Sequence, residues 1–282
     1  MHYLATWHVA AYALGIVNRH IVVNWKLKQK ASFVNTIVVI PARLASTRLP
    51  KKPLANIAGQ PMIVHVLRRA EQACVGPVIV ACADKAIADA VIEAGGEAIM
   101  TNPTLPSGSD RVFEALQKYD PTCQFDTVVN LQGDLPAVDP SLIGAVLGPL
   151  GNNSVEIATL ATKIRDETEK NNPNIVKAVV GLGDGDSVGR VLYFSRAPVP
   201  IGDGVHYHHI GIYAYRRQAL EKFVSLPESV LEKREKLEQL RALEAGMRID
   251  IALVDTIPDG VDTPADLERA RARLEMRPKL GN

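Results

Sequence analysis

The stretch Thr36–Leu54 reads TIVVIPARLASTRLPKKPL and sets four cations, Arg43, Arg48, Lys51 and Lys52, in ten residues. They directly follow an apolar run, Ile37 to Ile40. Cations mixed with hydroxyls such as Ser46, placed behind a buried strand, offer the charge neutralisation and the several donors that a triphosphate needs. The loop is not a Walker A loop, because no G-x-x-x-x-G-K is present. A solvated basic loop has the same composition, and only the position after the first strand favours phosphate. NLQGDLP (Asn130–Pro136) supplies a second element, or only an Asp-Leu-Pro turn: a buried strand, then Gln132, a glycine that permits close approach, and the carboxylate of Asp134. GVDTPADLERA (Gly260–Ala270) supplies a third, with Asp262 before a helix that opens on Pro264. Asp262 or Thr263 can equally be a plain N-cap there. Mg²⁺ takes one or two protein carboxylates and fills its shell with phosphate and water, so Asp134 and Asp262 form such a pair if the fold joins them.

Further polar motifs surround these. LPSGSDR (Leu105–Arg111) offers hydroxyls and backbone amides for a base or a sugar, or only caps a helix. YHHIGIYAYRR puts His209, Gly211 and Tyr213 on one strand face, which suits a hydroxylated ligand or is ordinary strand alternation with one wet face. Arg196, closing YFSR, is placed to hold a carboxylate or to sit on the surface.

The elements that must position these residues alternate. Strand Ile37–Ile40 leads to a helix near Met62–Ala73, strand Val78–Ala81 to helix Lys85–Ala94, and strand Glu97–Met100 to a helix near Asp110–Tyr119. Strand Thr127–Leu131 precedes a helix near Pro140–Leu147. The alternation predicts an α/β fold, with a mostly parallel sheet flanked by helices and ligands at the carboxyl ends of the strands. The second half reads differently, with strands Ile157–Ile164, Ile175–Gly181, Gly189–Arg196 and Tyr207–Arg217. A long helix over about Val230–Ala245 follows, with Leu231, Leu237, Leu240 and Leu243 as its apolar stripe. Strand Ile249–Val254 and helix Pro264–Leu274 complete the chain.

Bulk properties narrow the function classes. The 282 residues carry 32 basic and 31 acidic groups, a net charge of +1, so no global field attracts nucleic acid or an anionic membrane. Cys74, Cys82 and Cys123 have no metal-type spacing and fit a reducing compartment as small buried residues. The apolar run Leu4–Val17 is too short to span a bilayer, and no basic segment precedes it. Residues 1–35 are read as an extension apart from the main chemistry.

Seven motifs occur in one order: VVIPARLASTRLPKKPL, LPSGSDRV, VNLQGDLP, LYFSRAPVP, HHIGIYAYRR, LEKREKLEQLRALEAG and GVDTPADLERAR. Together they resemble the 3-deoxy-manno-octulosonate cytidylyltransferases, from Ile37 to the C-terminus. The resemblance implies a cytoplasmic, Mg²⁺-dependent homodimer that activates the sugar acid Kdo with CTP for lipopolysaccharide assembly. It also implies a nucleotide-diphospho-sugar transferase, Rossmann-like fold with a smaller β-rich dimerising part. The single domain would run over 36–282, with its nucleotide part at about 36–150 and its sugar and dimerisation part at about 151–282. Arg43, Ser46 and Lys52 match the phosphate grip, and Ser107, Gly108 and Arg111 the nucleotide loop. Gln132 falls near base and sugar, and Asp134 and Asp262 match the Mg²⁺ ligands. Arg196, His209, Tyr213, Glu238 and Gln239 match the sugar-acid pocket. Two positions depart from the family pattern: Lys51 replaces a usual glycine, and Leu135 a usual acidic residue. A sialic-acid cytidylyltransferase would share the nucleotide half but not HHIGIYAYRR and EKLEQLR, and a non-catalytic nucleotide sensor would not need Lys52, Asp134 and Asp262 intact.

Overall fold

A computed structural model describes residues 35–45 and 49–275. The segment 1–34 of the expected N-terminal extension lies outside the described residues, as do Ser46 and Arg48. Strand β1 (Thr36–Ala42) is central: Ile37, Val38, Val39 and Ile40 are fully buried, which is why the run is apolar on both faces. A two-stranded ribbon follows, β2 (Asn56–Ile57) with β3 (Gln60–Pro61), and then helix α1 (Met62–Gln72). Strand β4 (Val78–Cys82), helix α2 (Lys85–Glu93), strand β5 (Glu97–Met100), helix α3 (Gly108–Tyr119) and strand β6 (Thr127–Asn130) continue the alternation. β5, β4, β1 and β6 lie side by side and are all parallel.

The second half adds helix α4 (Pro140–Ala145), β7 (Ile157–Lys163), helix α5 (Glu167–Asn171), β8 (Lys177–Gly181), β9 (Val188–Ser195) and β10 (Tyr207–Arg216). Helices α6 (Arg217–Ser225), α7 (Val230–Glu235) and α8 (Leu240–Glu244), strand β11 (Ile249–Leu253) and helix α9 (Pro264–Glu275) complete it. Here the sequence expectation of a mostly parallel sheet needs correction. All strands but the small ribbon join one nine-stranded mixed sheet, ordered β5-β4-β1-β6-β10-β7-β11-β9-β8. β10 runs antiparallel to both β6 and β7, so it splices the parallel half to the rest. The start of β10 also pairs with β8, so β10, β7, β11, β9 and β8 close into a ring of pairings.

The single long helix expected over Val230–Ala245 is two short ones. Ser229 opens α7 with a capping box to Glu232, and Lys236 ends it in the left-handed region at φ 57°. Tertiary contacts override the leucine stripe. Arg241 grips Glu232 with two bonds of 2.8 and 2.6 Å and lies over the Phe223 ring. The break leaves Glu238 and Gln239 in a turn rather than on a helix face. Helix α6 was not legible as a separate element. Of the three cysteines only Cys82 is buried, while Cys74 and Cys123 are exposed, against the expectation of three buried residues.

Candidate active site

β1 and β6 are parallel neighbours, with Val39 opposite Asn130, so both deliver their carboxyl ends to one edge. The chain leaves β1 into Arg43 and leaves β6 into Gln132–Gly133–Asp134. Gly133 passes so close to β1 that an added Cβ would lie 2.8 Å from the Pro41 carbonyl oxygen, so no larger residue fits without moving one strand end. The Leu44 amide donates to Asp84 Oδ2 at 2.8 Å, which pins the start of the basic loop. On the other side α3 begins at Ser107, whose Oγ caps the Asp110 amide at 3.2 Å. A helix N-terminus facing a cation-lined cleft is suited to anions.

These elements enclose a cavity of about 430 Å³. Arg43, Lys52, Ser107, Gly108, Arg111, Gln132, Asp134 and Asp262 all line it. Sequence reasoning drew them from positions scattered along the chain, and the fold brings them together. Ser46 lies outside the described residues. Arg111 is 2 % exposed; its Nη1 donates to Thr101 Oγ1 and to the Asn102 carbonyl. Its Nη2 is shut off from solvent with no partner among the described residues. Burial, with Arg43 beside it, lowers its pKa.

At the centre Lys52 Nζ donates to Asp134 Oδ2 at 2.9 Å and to Asp262 Oδ1 at 3.0 Å. Burial disfavours the ammonium, but the two carboxylates hold its pKa above the usual lysine value. The Val261 amide donates to the Asp134 carbonyl at 3.0 Å and so brings Asp262 alongside Asp134. The N-cap alternative for Asp262 is resolved by its neighbours. Thr263 Oγ1 caps the Asp266 amide, and Asp266 Oδ2 accepts from the Asp262 and Thr263 amides. The cap is thus Thr263 with Asp266, a T-x-x-D signal present in the sequence, and it leaves the Asp262 carboxylate for the cavity.

The expected sugar-acid residues are placed less uniformly. Glu238 lines a second cavity of about 510 Å³, which shares Ser107 with the first. Ser109 Oγ donates to Glu238 Oε2 at 3.1 Å. Ser109, Asp84 and Asp266 are partners that sequence reasoning did not single out. Arg196, His209, Tyr213 and Gln239 line neither cavity. The wet strand face expected for His209 and Tyr213 is a correction, since both are 9 % exposed. The His209 ring packs against Phe194 and Tyr213, and its Nε2 meets Thr159 Oγ1 at 3.0 Å. Burial pushes its pKa down to about 3, so it is neutral. The cause is structural: β10 is covered on both faces, with a register shift between Ile210 and Tyr213.

The two departures also have places. Lys51 adopts φ 55°, ψ 31°, the left-handed conformation that glycine takes freely and that costs an L-residue about 1–2 kcal/mol. Leu135 is 8 % exposed and lies under the turn at Gly260, so an apolar residue suits it.

Glu238 carries one testable consequence. Its Oε1 is buried without a partner among the described residues. Burial raises its pKa against the pull of Ser107, Ser109 and Arg241. A carboxyl that holds its proton more tightly folded than unfolded loses stability as pH rises through that interval. Glu238→Gln is therefore expected to stabilise the protein at pH 8 by about 1 kcal/mol, or roughly 2–4 °C, and to leave it unchanged near pH 4. Thermal melts at the two pH values check this; an equal shift at both would show that charge is not the cause.

Comparison with known proteins bears on the site. The sequence profile of the family described as Cytidylyltransferase matches residues 37–249. A 3-deoxy-manno-octulosonate cytidylyltransferase of Paramagnetospirillum magneticum is 65 % identical over 239 residues, covering 85 % of this chain and 97 % of the relative. One of Rhodospirillum centenum is 61 % identical over 86 % of this chain and 95 % of the relative. Among solved structures, a CMP:2-keto-3-deoxy-manno-octonic acid synthetase complexed with CTP superposes with TM-score 0.78 at 42 % identity, covering 86 % of this chain and 98 % of that one. A cytidylyltransferase from Leptospira borgpetersenii, at 15 % identity and TM-score 0.56 over 87 % of this chain and 88 % of that one, shares the fold alone.

Proposed function

The chain belongs to the cytidylyltransferase family, among the 3-deoxy-manno-octulosonate cytidylyltransferases, and on that premise we propose that the cavity at the ends of β1 and β6 binds CTP for transfer to Kdo. The enzyme activates Kdo with CTP, giving CMP-Kdo. The observation that carries the site assignment is the convergence of Lys52, Asp134 and Asp262 opposite Arg43, Ser107 and Arg111 in one cavity.

In the reaction the anomeric hydroxyl oxygen of Kdo forms a bond to the α-phosphorus of CTP. The bond from that phosphorus to the pyrophosphate oxygen breaks, and the hydroxyl proton is lost. No covalent enzyme intermediate is required. Arg43, Lys52 and Arg111 neutralise charge on the triphosphate, and the N-terminus of α3 adds backbone donors. Gln132 reads the base or ribose side, and the fixed edge of β1 and β6 holds the reacting groups in line.

The residues present fit a divalent cation. Asp134 and Asp262 already share one cation, the Lys52 ammonium, at 2.9 and 3.0 Å. Among the described residues no group of three or more His, Cys, Asp or Glu is placed to hold a metal, so a cation on this pair would complete its shell with phosphate and water. Mg²⁺ held by the two carboxylates would supply phosphate charge neutralisation and acidify a bound hydroxyl. Glu238, Gln239, Arg196, His209 and Tyr213 are read as the sugar-acid side on the family resemblance, with Glu238 the one of them that lines a cavity.

Residues 36–282 form the catalytic part and act as a homodimer. Support for the dimer comes from exposed Val188 and Leu192 on the outer face of β9 and from Ile201, at 40, 60 and 100 % exposure. No helix among the described residues is long and apolar enough to cross a membrane. Cytoplasmic supply of CMP-Kdo to lipopolysaccharide assembly is the setting that suits the activity.

The test is pyrophosphate release from CTP and Mg²⁺ with Kdo or a sialic acid added. Release with Kdo alone is expected. Equal release with the sialic acid, or none with Kdo, overturns the assignment.

A further inference from the structure

Lys177 at the start of β8 is fully buried, yet no carboxylate among the described residues meets it. Its three ammonium donors go to backbone carbonyls: Asn172 at 2.8 Å, Ile175 at 2.7 Å and Arg196 at 2.8 Å. A buried charge without a counter-ion is costly, so the same space filled by an apolar side chain would serve stability better. Burial, with Arg196 nearby, lowers the pKa of this lysine. His208 stands opposite it across the β8–β10 ladder; burial and the Lys177 charge lower the pKa of that imidazole. Something other than packing has to account for the lysine.

What Lys177 holds is informative. The Asn172 and Ile175 carbonyls flank Pro173, whose own carbonyl accepts from Arg196 Nη1 at 3.0 Å. Arg196 is thus held by Lys177 at both ends, directly at its carbonyl and through the 172–175 loop at its guanidinium. The remaining restraints come from the end of α7. Glu235 Oε2 accepts from the Arg196 amide at 3.0 Å, and the Glu235 carbonyl accepts from Arg196 Nε at 2.9 Å. Glu235 Oε1 accepts from Ser195 Oγ at 2.8 Å. Lys236, the left-handed residue next in the chain, precedes Leu237 and Glu238. One network therefore joins the 172–175 loop, the end of β9 and the turn that carries Glu238 and Gln239.

We propose that Lys177 is a positioning residue for the sugar-acid side of the site, setting the direction of Arg196 and the seat of the Glu238–Gln239 turn. The proposal rests on the reading of Arg196 as a sugar-acid residue. With three donors spent on carbonyls, the ammonium makes no contact with substrate; it acts only through Arg196 and the turn. Arg196 spends three of its five side-chain N–H donors on the carbonyls of Glu235, Pro173 and Lys236, and keeps one on each Nη for a carboxylate. A fixed fork loses less entropy on engaging a carboxylate than a free one.

The experiment measures KM for Kdo and for CTP in the full chain for wild type, Lys177→Met, Arg196→Ala and the double variant. Lys177→Met keeps length and removes charge. It is expected to raise the Kdo KM about 10-fold or more and to leave the CTP KM within about two-fold. The double variant is expected to add little to Arg196→Ala, because both changes act through one group. If Lys177→Met does not fold, Lys177→Arg retains the charge but not the three-carbonyl geometry and is expected to give the same split. A raised Kdo KM in Arg196→Ala with a flat one in the Lys177 variant overturns the positioning role alone. A flat Kdo KM in Arg196→Ala overturns the sugar-acid reading of Arg196 and the proposal with it. Equal rises in the KM for Kdo and CTP mark Lys177 as merely structural and also overturn it.

Discussion

Asp134→Asn and Asp262→Asn are each expected to lower turnover by about 100-fold or more while the fold survives. An amide keeps the shape of the carboxylate and removes the charge that two residues here direct at one point. The loss of stability is expected to be small. Asp262 is 49 % exposed and Asp134 31 %, so each ion pair with Lys52 contributes at most about 1 kcal/mol after solvent screening. A melting shift of a few degrees, set beside a hundredfold loss of turnover, separates catalysis from folding. The double variant is expected to be little worse than either single one, since both carboxylates bond one ammonium and, on the proposed function, would share one metal ion. Asn caps helices as well as Asp does, so a cap role for Asp262 would make its substitution nearly silent. The structure already assigns that cap to Thr263 and Asp266. Full activity in Asp262→Asn would separate it from the site.

The cavity at the ends of β1 and β6 was legible because short, local signals carry it. A buried parallel strand must be apolar on both faces, and the residue after it must emerge at the ligand edge. That logic located Arg43 after β1 and Asp134 after β6 with no knowledge of packing. Asp262 needed the third dimension, since contacts distant in sequence, the Val261 amide on the Asp134 carbonyl and Lys52 on both carboxylates, bring it alongside. The surroundings of Glu238, His209 and Tyr213 were less legible because tertiary contacts decide them. Leu237, Leu240 and Leu243 keep helical spacing, Leu231 six residues earlier falls off their face, and neither glycine nor proline marks a break. The grip of Arg241 on Glu232 and the left-handed Lys236 nonetheless divide the helix. The alternation in YHHIGIYAYRR predicts a strand correctly but not its neighbours. With β6 and β7 on its two edges and both faces covered, β10 buries His209 and Tyr213 where a one-sided sheet would leave them wet. Mixed sheet order has the same origin, because the sense of a strand pairing is a long-range property that no window of sequence contains.

Lys52→Met is expected to raise the CTP KM by about 10- to 100-fold, the loss of one charge-assisted contact worth roughly 1.5–3 kcal/mol. The same variant is expected to bind Mn²⁺ more tightly than wild type when CTP is absent. Lys52 Nζ lies within hydrogen-bond distance of both carboxylates, at 2.9 and 3.0 Å. Any cation shared by Asp134 and Asp262 has first to displace that ammonium. Triphosphate offers Lys52 another anionic partner, so nucleotide and metal should bind with positive coupling in the wild-type protein. Methionine fills similar volume but leaves two unneutralised carboxylates facing one point, which raises the attraction for a divalent ion while removing a phosphate contact. Calorimetric titration with Mn²⁺, with and without CTP, reads both effects. Expected are a lower Kd for Mn²⁺ alone in Lys52→Met and a reduced gain on adding CTP. Equal Mn²⁺ affinity in both proteins would mean that Lys52 does not compete for the carboxylates, and weaker affinity in the variant would mean that it helps to hold the metal rather than standing in its place.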